Sequence, residues 1–413
     1  MKNNFAARLA RVSAALLATL LALSAIGVAS TPHTIYTFPA NGADGFPSGG
    51  LVFDSAGNLY GTTDSSGTSN YGTVFELSPG PNGVWIETVL YRFKGAHFGG
   101  GNNQDGESPQ TGVIIDGAGN LYGTTTVGGT IGTCQGGCGT VFKLSPDGRG
   151  GWTETVIYRF YGIKGKFPYG LVRDAAGTLY GTTLAGGSFG HGTVFRLKQN
   201  LHGTWSETVL HSFAGGADGF SPYAGLALDN AGNLYGTTIE GGDFTACYSG
   251  CGTVFTLTRA GNAWTHTVIY NFNYSDGADP EAPLTLDSAG NLYGTSFGGD
   301  SHNDGVVYRL VPSNGIWTES VLHYFGSPGD GFKTRVGVIL DGAGNLFGTT
   351  PFGLSYDGNI FELTPTPSGP WTETILYSPP INSGTPPTSA LTWNAAHTSL
   401  FGIAATIVYE IAP

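Results

Sequence analysis

The sequence repeats one ten-residue string along nearly its whole length, and this repetition limits the possible folds more than any other feature. The string is D-x-A-G-N-L-Y-G-T-T, with little variation between copies that begin at Asp54, Asp116, Asp174, Asp229, Asp287 and Asp341. A degenerate seventh copy, WNAAHTSLFG, carries Asn394 at the position of the aspartate. Successive copies lie 53 to 62 residues apart. Because repeats of this size bury their hydrophobic faces against their neighbours, the units should stack into one array.

Each repeat unit predicts four β-strands. A short apolar run such as LVFD precedes the S-A-G-N turn, NLYGTT follows it, and GTVFELSP and W-x-E-T-V-L-Y-x-F come next. Their content of Thr, Val, Tyr and Phe is typical of half-buried strands. Only 11% of the residues are charged, which is too few for the polar faces of long amphipathic helices. Four antiparallel strands repeated radially form the blade of an all-β propeller.

Counting the strands predicts a closed ring of seven blades. The second and third strand patterns each occur seven times, but the fourth pattern follows only six of them. The missing copy, HTIYTF, stands at His33–Phe38. We therefore expect this N-terminal strand to complete the last blade, which leaves no open sheet edge. The expected propeller is a single domain of residues 31–413, with repeat units starting near residues 51, 113, 171, 226, 284, 338 and 391.

Residues 1–30 have the pattern of a secretory signal peptide. Three basic residues precede an apolar run from Val12 to Val28, and the small residues Ala29 and Ser30 follow it. The alternative is an uncleaved membrane anchor, but the small-residue boundary favours cleavage. Removal of the three positive charges, with no acidic residue among them, changes the net charge from −12 to −15. This balance disfavours nucleic acids and anionic membranes as partners. We expect a secreted or periplasmic protein with no membrane span after signal removal.

Together these motifs resemble the GloVer tandem repeat of exported bacterial proteins. The resemblance rests on DG-x-x-P-x-x-G, D-x-A-G-N-L-Y-G-T-T, G-T-V-F-K-L and T-V-L-Y-x-F, and it covers residues 34–413. It implies a propeller on a secreted chain, but no common ligand or reaction defines the family. Relatives often carry a C-terminal surface-sorting segment. This sequence lacks that pattern, so we expect free secretion or periplasmic residence rather than surface anchoring.

One face of the propeller is expected to carry the ligand contacts. The loops from strand two to strand three, and from strand four to the next strand one, emerge on the same face of a propeller. We call it the loop face, and nearly all the variation between repeats lies in its loops. Variable loops on a rigid scaffold are the usual place for binding. The predicted ligand contacts are Tyr71, Phe189, His191, Asp243, Phe244, Tyr248, His302, Asp304, Tyr356 and Asp357.

Aspartate–glycine pairs recur in the loops from strand four to strand one. The aspartates are Asp44, Asp105, Asp218, Asp276 and Asp330. One interpretation is turn chemistry, in which the aspartate accepts local backbone N–H groups and the glycine adopts a positive φ. The other is an interrupted ring of carboxylates that attracts cations or a basic partner. Calcium needs six to eight nearby oxygens, and the sequence has no D-x-D-x-D string to supply them, so no metal site is predicted.

The four cysteines predict two local disulfides. Cys134 and Cys138 lie in the strand-two to strand-three loop of blade 2, and Cys247 and Cys251 lie in the same loop of blade 4. The alternative is one four-thiolate metal site. Blades 2 and 4 of a seven-bladed ring are about 100° apart, so the four thiolates could not converge on one ion. Export also favours oxidation.

Three further sets of residues need an explanation. Six tryptophans precede the fourth strands, where packing between blades is the simplest role and sugar stacking is the alternative: Trp85, Trp152, Trp205, Trp264, Trp317 and Trp371. Glutamates of the T-E-T pattern should be cross-strand partners on the blade surface: Glu87, Glu154, Glu207, Glu319 and Glu373. Arg173 replaces an apolar residue in an inner strand, so it needs a partner or a water-filled channel.

The sequence favours a secreted, non-catalytic propeller that binds an extracellular glycan or protein through the loop face. No cofactor, catalytic residue or metal ligand is predicted, and a monomer is expected. One alternative is an enzyme on the same scaffold, such as a polysaccharide lyase, a glycosidase or a lactonase. Another is a structural protein of the envelope or matrix. Catalysis needs an asymmetric cluster of perturbed groups in one cleft, whereas this sequence is nearly symmetric and poor in charge.

Overall fold

The computed structural model describes residues 31–39, 46–64, 71–95, 105–129, 134–261, 263–353, 357–367, 370–380 and 383–413. The predicted signal peptide, Asp44 and Tyr356 lie outside the described residues. Within these ranges, no helix is long and apolar enough to cross a bilayer. In the described part of the chain, helical structure is limited to two short 3-10 segments, Pro81–Gly83 and Gly216–Asp218.

Seven four-stranded antiparallel sheets form the structure, which confirms the predicted all-β propeller of seven blades. Blades 1 to 3 comprise β2 (Pro47–Phe53), β3 (Leu59–Thr63), β4 (Thr73–Pro79), β5 (Trp85–Arg92), β6 (Ile114–Ile115), β7 (Leu121–Thr125), β8 (Thr140–Pro146), β9 (Trp152–Arg159), β10 (Lys166–Arg173), β11 (Leu179–Ala185), β12 (Thr193–Gln199) and β13 (Trp205–Ser212). Blades 4 to 6 comprise β14 (Ala227–Leu228), β15 (Leu234–Thr238), β16 (Thr253–Ala260), β17 (Ala263–Asn271), β18 (Thr285–Leu286), β19 (Leu292–Ser296), β20 (Val306–Ser313), β21 (Ile316–Tyr324), β22 (Ile339–Leu340), β23 (Leu346–Thr350), β24 (Asn359–Thr364) and β25 (Thr372–Tyr377). Blade 7 comprises β26 (Thr392–Trp393), β27 (Leu400–Ala404), β28 (Ile407–Ile411) and the N-terminal β1 (His33–Thr37).

The N-terminal strand closes the ring as the sequence predicts. β1 pairs antiparallel with β28, with His33 opposite Glu410 and Thr37 opposite Ile407. The backbone N–H of Phe38 donates to the carbonyl of Thr406 at 2.8 Å. Blade 7 is therefore built from both ends of the propeller, and β1 covers β28 as the fourth strand covers the third in the other blades.

The repeated aspartate organises the turn that follows the inner strand in six of the seven blades, and Asn394 takes its place in blade 7. In blade 1, Oδ1 of Asp54 accepts the backbone N–H groups of Ala56 and Asn58, and Oδ2 accepts the side chains of Asn58 and Tyr60. Burial tends to raise the pKa of Asp54, but these hydrogen bonds outweigh it and hold that pKa below its usual value. Asp, Asn and Tyr recur together in the string because one carboxylate satisfies all of these donors.

The glycine of L-Y-G-T-T is required by close packing within each blade. A Cβ atom on Gly61 would lie 2.5 Å from Cζ of Phe75, which is fully buried on β4. The phenylalanine ring of strand three thus fills the space where strand two has no side chain. The core continues between blades, since Val74 and Phe93 of blade 1 share one cluster with Leu121 and Phe142 of blade 2.

The repeated tryptophans pack between blades, as the simpler interpretation predicts. Each one contacts the aromatic residue of strand two in the preceding blade at a ring-centroid distance of 5.8 to 6.5 Å. The pairs are Trp85 with Phe401, Trp152 with Tyr60, Trp205 with Tyr122, Trp264 with Tyr180, Trp317 with Tyr235 and Trp371 with Tyr293. β1 carries no tryptophan, and Trp393 of the inner strand of blade 7 covers Phe347 of blade 6 instead.

Most of the inner strands are shorter than the apolar runs that predict them, whereas β2 and β10 are longer. Five of the seven have only two residues in the ladder. The residues just before them bond to the neighbouring blade: the hydroxyl of Thr62 donates to the carbonyl of Thr111, and that of Thr349 donates to the carbonyl of Ser389, both at 3.0 Å. These interblade bonds replace ladder bonds within the blade and join successive inner segments around the axis.

Candidate ligand-binding face

A groove of about 870 Å³ opens on the loop face at blade 5. Tyr274 and Ser275 of the loop between β17 and β18 form one side of it, and residues 324–328 at the end of β21 form another. Residues 300–302, in the loop between β19 and β20, complete the lining. Two adjacent blades therefore contribute to this groove, as expected for sites formed between repeats.

Two tyrosine rings are presented to the groove. Tyr324 is 51% exposed and Tyr274 is 37% exposed, although aromatic side chains of this size are usually more buried. Tyr274 has a φ of 75°, a left-handed conformation that costs a side-chain-bearing residue roughly 1–2 kcal/mol. Its carbonyl accepts the backbone N–H groups of Asp300 at 2.6 Å and Gly277 at 3.4 Å. These bonds hold the strained residue at the edge of the groove.

Asp300 shapes the polar side of the groove. Its carboxylate is buried, and Oδ1 accepts the backbone N–H groups of His302 at 2.6 Å and Asn303 at 2.8 Å. The turn leaves the imidazole of His302 exposed, with Nδ1 3.0 Å from Oγ of Ser301. Because the carboxylate of Asp300 is committed to the turn, the groove offers an imidazole, hydroxyl groups and aromatic faces to a ligand.

The predicted ligand contacts are spread over several blades, and only His302 among them lines this groove. Phe189 and His191 lie on blade 3, where the ring of His191 packs on Phe220 at 5.3 Å. Phe244 and Tyr248 project from the disulfide-bonded loop of blade 4 and are exposed. Asp243 is half-buried at the start of that loop, where it accepts the backbone N–H of Thr245 at 2.8 Å.

Three other predicted contacts are held within the protein. Asp357 is buried, and its carboxylate accepts the backbone N–H groups of Ser383 and Gly384 from blade 7. Tyr71 is half-buried and packs into the core cluster between blades 1 and 2. The half-buried Asp304 lies against Gly326, and its carbonyl accepts the backbone N–H of Lys333 at 2.7 Å. These three residues join loops to their neighbours. Tyr356 lies outside the described residues.

Both predicted disulfides are present. Cys134 is bonded to Cys138 and Cys247 to Cys251, with Cα–Cα distances of 5.3 and 5.2 Å. The alternative of a four-thiolate metal site is therefore wrong. The second disulfide closes the loop that presents Tyr248, so it limits the freedom of an exposed aromatic residue on the loop face.

A second set of loop-face residues, which the sequence prediction missed, follows the proline of the D-G-x-x-P-x-x-G motif or its equivalent. These residues lie just before the inner strands, or within the first part of the two longer ones, and so surround the propeller axis; they are Ser48, Gln110, Tyr169, Tyr223, Glu281, Arg335 and Thr388. The rings of Tyr169 and Tyr223 lie 4.4 Å apart, and the hydroxyl of Tyr169 donates to Oε1 of Gln110 at 3.0 Å. Nε of Arg335 lies 3.4 Å from Oε2 of Glu281. The sequence signal for these residues was that this one position differs strongly between repeat units while the positions around it are nearly constant.

Within the described part of the chain, which excludes Asp44, the aspartates of the Asp-Gly pairs are bound in their loops and do not form a ring of carboxylates open to solvent. Asp105, Asp276 and Asp330 are 5 to 8% exposed. Oδ2 of Asp105 accepts the hydroxyl of Tyr91 at 2.6 Å and the N–H of Lys94 at 3.1 Å. Asp276 accepts a tyrosine hydroxyl and a backbone N–H in the same way. Turn chemistry therefore explains these pairs, with a side chain of strand four as an additional donor.

The T-E-T glutamates face these loops from the next blade. We call each group an interblade cluster: a Tyr or His of strand four, the loop residue that follows it, and the Glu or His of strand four in the next blade. Burial and the charge of Asp105 raise the pKa of Glu154 to about 7, and burial and Asp276 do the same for Glu319. At the boundary of blades 3 and 4, Asp218 lies 3.0 Å from His211 and 3.1 Å from His266. The prediction treated the aspartates and glutamates separately, although the replacement of a glutamate by His266 in one unit was a visible signal.

Arg173 lies on the face opposite the loops. A Cβ atom added to Gly177, in the turn after β10, would lie 3.0 Å from its Nη2. The positive charge of Arg173 also acts on Tyr122 of blade 2, where it opposes the effect of burial, which raises the pKa of that tyrosine to about 12. The arginine is therefore part of the contact between blades 2 and 3 on the turn side.

Comparison with known families identifies the repeat. Residues 23–249 and 245–409 match the family model of the Gloeobacter/Verrucomicrobia repeat. The chain belongs to the Gloeobacter/Verrucomicrobia repeat family. The repeat in this family member is the unit that forms one propeller blade, and the resemblance drawn from its motifs is confirmed. A search of curated proteins gives no significant match.

Solved structures share the fold of this Gloeobacter/Verrucomicrobia repeat protein at low sequence identity. The extracellular domain of the putative hybrid two component system BT4673 from B. thetaiotaomicron is 14% identical with a TM-score of 0.56, over 93% of this chain and 39% of that chain. That of BT3049 from the same organism is 15% identical with a TM-score of 0.54, over 93% and 41%. The repeat protein thus spans about two fifths of those chains. The gluconolactonase XC5397 from Xanthomonas campestris is 15% identical, with a TM-score of 0.38 over 66% and 78%.

Proposed function

We propose that this repeat protein is an exported, non-catalytic propeller that binds an extracellular glycan in the groove at blade 5. The observation that carries the proposal is the pair of exposed tyrosine rings, Tyr274 and Tyr324, at the two sides of one groove. A volume of about 870 Å³ lies within the ~300–1,000 Å³ range of small-ligand sites. A few sugar residues fit this volume.

The chemistry of the lining suits a neutral carbohydrate. Aromatic faces pack against the C–H faces of sugars, while hydroxyl groups and an imidazole can exchange hydrogen bonds with sugar hydroxyls. Ser275, Ser301 and His302 supply such groups around the two rings. Among the described residues that line the groove, Asp300 supplies the single carboxylate, and the turn already uses it. Binding is therefore better supported than acid–base catalysis.

An extracellular place of action is supported by two observations of different kinds. Two disulfides join cysteines on exposed loops, and such bonds persist mainly in oxidising compartments. The fold is shared with extracellular domains of bacterial two component systems. Together with the sequence pattern of a signal peptide, these observations support secretion or periplasmic residence.

The test is a binding screen of the purified protein against soluble bacterial and plant polysaccharides, followed by calorimetry with any ligand found. Tyr324→Ala should weaken binding at least tenfold, because it removes one of the two rings that stack on the ligand. The comparable stacking of a nucleic-acid base on one aromatic ring is worth roughly 1–3 kcal/mol. Tyr324→Phe keeps the ring and should bind nearly as well as the wild type. The matched control is Tyr248→Ala, which removes an exposed tyrosine from the neighbouring loop. Glycan binding that is unaffected by Tyr324→Ala but lost in Tyr248→Ala would overturn the placement in this groove.

A further inference from the structure

The interblade cluster between blades 5 and 6 has the donors of a metal site. It consists of His323 on β21, Asp330 in the loop after β21, and Glu373 on β25. One imidazole nitrogen and two carboxylate oxygens lie within 4.8 Å of one another. Nε2 of His323 is 3.0 Å from Oδ2 of Asp330 and 3.7 Å from Oε1 of Glu373. Ligand atoms held at about 2.0–2.2 Å from one ion lie within about 4.4 Å of each other, so small side-chain adjustments would bring these three onto a metal.

Asp330 lacks a donor that its counterparts have. The loop aspartates at three other boundaries each accept a backbone N–H at the start of their loop, from Lys94, Ala214 and Asn273. The side chain of Asp330 is only 3% exposed, and its Oδ1 has no hydrogen-bond partner among the described residues. Such a buried carboxylate oxygen costs free energy unless a proton or a cation meets it.

At another boundary, the equivalent loop position carries a lysine, so the chain itself supplies a positive charge there. Between blades 2 and 3 the loop carries Lys164 instead of an aspartate, and its ammonium lies 2.7 Å from Oε2 of Glu207. Between blades 5 and 6 the loop supplies a second carboxylate instead. Two carboxylates then face each other across the boundary with one imidazole beside them. The fold therefore tolerates a positive charge at this point, and between blades 5 and 6 the equivalent loop position holds a carboxylate instead of a cation.

In the related histidine cluster between blades 3 and 4, both carboxylate oxygens of the loop aspartate have partners. Each oxygen of Asp218 has an imidazole nitrogen as a partner, His211 on one and His266 on the other. The two rings are stacked 3.9 Å apart and nearly parallel. Their in-plane lone pairs therefore do not converge on one point, which suits a hydrogen-bonded His–Asp–His group better than an ion.

We propose that His323, Asp330 and Glu373 bind a first-row divalent metal ion such as Zn²⁺, and that this ion links blade 5 to blade 6. An imidazole with two carboxylates is a donor set of borderline hardness that suits Zn²⁺, Mn²⁺ or Co²⁺ better than Ca²⁺, which needs six or more oxygens. Three protein ligands leave one position for water. The ion joins strand four of one blade to strand four of the next, so its role is to staple the two blades together.

The test is calorimetric titration of the metal-free full-length protein with Zn²⁺ at pH 7.5, with the melting temperature as a second measurement. The wild type should bind about one equivalent and melt at a higher temperature with Zn²⁺ than without it. The decisive variant is His323→Tyr, because the chain itself carries tyrosine at the equivalent positions of other blades, including Tyr91 and Tyr270. It should fold normally and lose affinity at least as much as the roughly 10- to 100-fold that removal of a supporting residue costs.

Two controls make the result specific. Glu319→Gln changes the equivalent glutamate at the boundary of blades 4 and 5, where Tyr270 stands in place of the histidine, and should bind Zn²⁺ like the wild type. Glu373→Gln should lose the Zn²⁺-dependent rise in melting temperature. Wild-type protein that binds no Zn²⁺, Mn²⁺ or Co²⁺, or His323→Tyr protein that binds as tightly as the wild type, would overturn the proposal.

Discussion

The ammonium of Lys164 lies 2.7 Å from Oε2 of Glu207, across the boundary between blades 2 and 3. The side chain of Glu207 is fully buried, while that of Lys164 is 41% exposed. Burial raises the pKa of Glu207, and the lysine opposes this effect through a hydrogen bond and its charge. A single lysine thus offsets part of the cost of burying the glutamate, whose pKa remains raised.

Lys164→Met should destabilise the protein by about 1–3 kcal/mol, because the buried carboxylate loses its charged donor. Urea unfolding at pH 7.5 measures the effect. Lys198→Met is the control, since the side chain of Lys198 is exposed on β12 of blade 3. This substitution should change the free energy of unfolding by less than about 0.5 kcal/mol. Equal effects of the two substitutions would show that the contact between Lys164 and Glu207 adds nothing to the stability of the folded protein.

The stability of the propeller should fall as the pH rises from about 5 to 7.5. Glu154 and Glu319 have pKa values raised to about 7 in the folded protein, mainly through burial. Their pKa is near 4.5 when the chain is unfolded, so the folded state binds more protons between these values. The contribution of these two glutamates to the free energy of unfolding is fully present below about pH 4.5 and is lost as the pH rises through 7.

Glu319→Gln should flatten this pH dependence, because glutamine stays neutral over the whole range. The melting temperature measured at half-unit pH steps reports the slope for each variant. The Glu154→Gln and Glu319→Gln double variant should be flatter than either single variant, since the two sites lie in different boundaries and add independently. A double variant with the wild-type slope would contradict the assignment.

Phe38→Ala should destabilise the protein by about 3–5 kcal/mol, as expected for loss of a buried phenylalanine. Phe38 is 1% exposed, and its ring packs on Phe75 of blade 1 at 5.0 Å. The matched variant is Phe213→Ala, which removes the equivalent ring of blade 3. If β1 is held in blade 7 as firmly as β13 is held in blade 3, both variants should lose a similar free energy of unfolding in denaturant. A much smaller loss for Phe38→Ala would indicate that the last blade opens readily.

Replacing both Cys247 and Cys251 by serine should leave the propeller folded and cost about 2 kcal/mol or less, because the closed loop is short. The larger effect should be on the loop itself. Limited proteolysis should cut the variant between Asp243 and Gly250 while the wild type resists under the same conditions. The pair Cys134 and Cys138 provides the comparison within the same chain. Resistance equal to that of the wild type would show that the disulfide does not order the loop.

The fold could be predicted from the sequence because it depends on local patterns. Strand alternation, the S-A-G-N turn and the count of fourth strands are all readable along the chain, and Asp54, Tyr60 and Trp152 repeat in register. Closure by His33–Thr37 followed from the same count. The disulfides followed from the spacing of the cysteines and the expected compartment.

The site was less predictable because it depends on contacts between distant residues. Asp105 and Glu154 belong to one cluster although 49 residues separate them, and no local pattern shows that they meet. The groove depends on the left-handed conformation of Tyr274 and on the turn built by Asp300, which are consequences of loop packing. Asp357 has the composition of a ligand contact, but the packing of blades 6 and 7 uses its carboxylate.

The pairing of β1 with β28 places a constraint on biosynthesis. Thr37 and Ile407 are partners although they are 370 positions apart in the sequence. The strand that leaves the ribosome early therefore waits for the last segment to be made before it finds its partner, and contacts of such long range form slowly. The ring therefore cannot close until synthesis has passed β28, and a copy truncated before that strand would leave β1 without its partner.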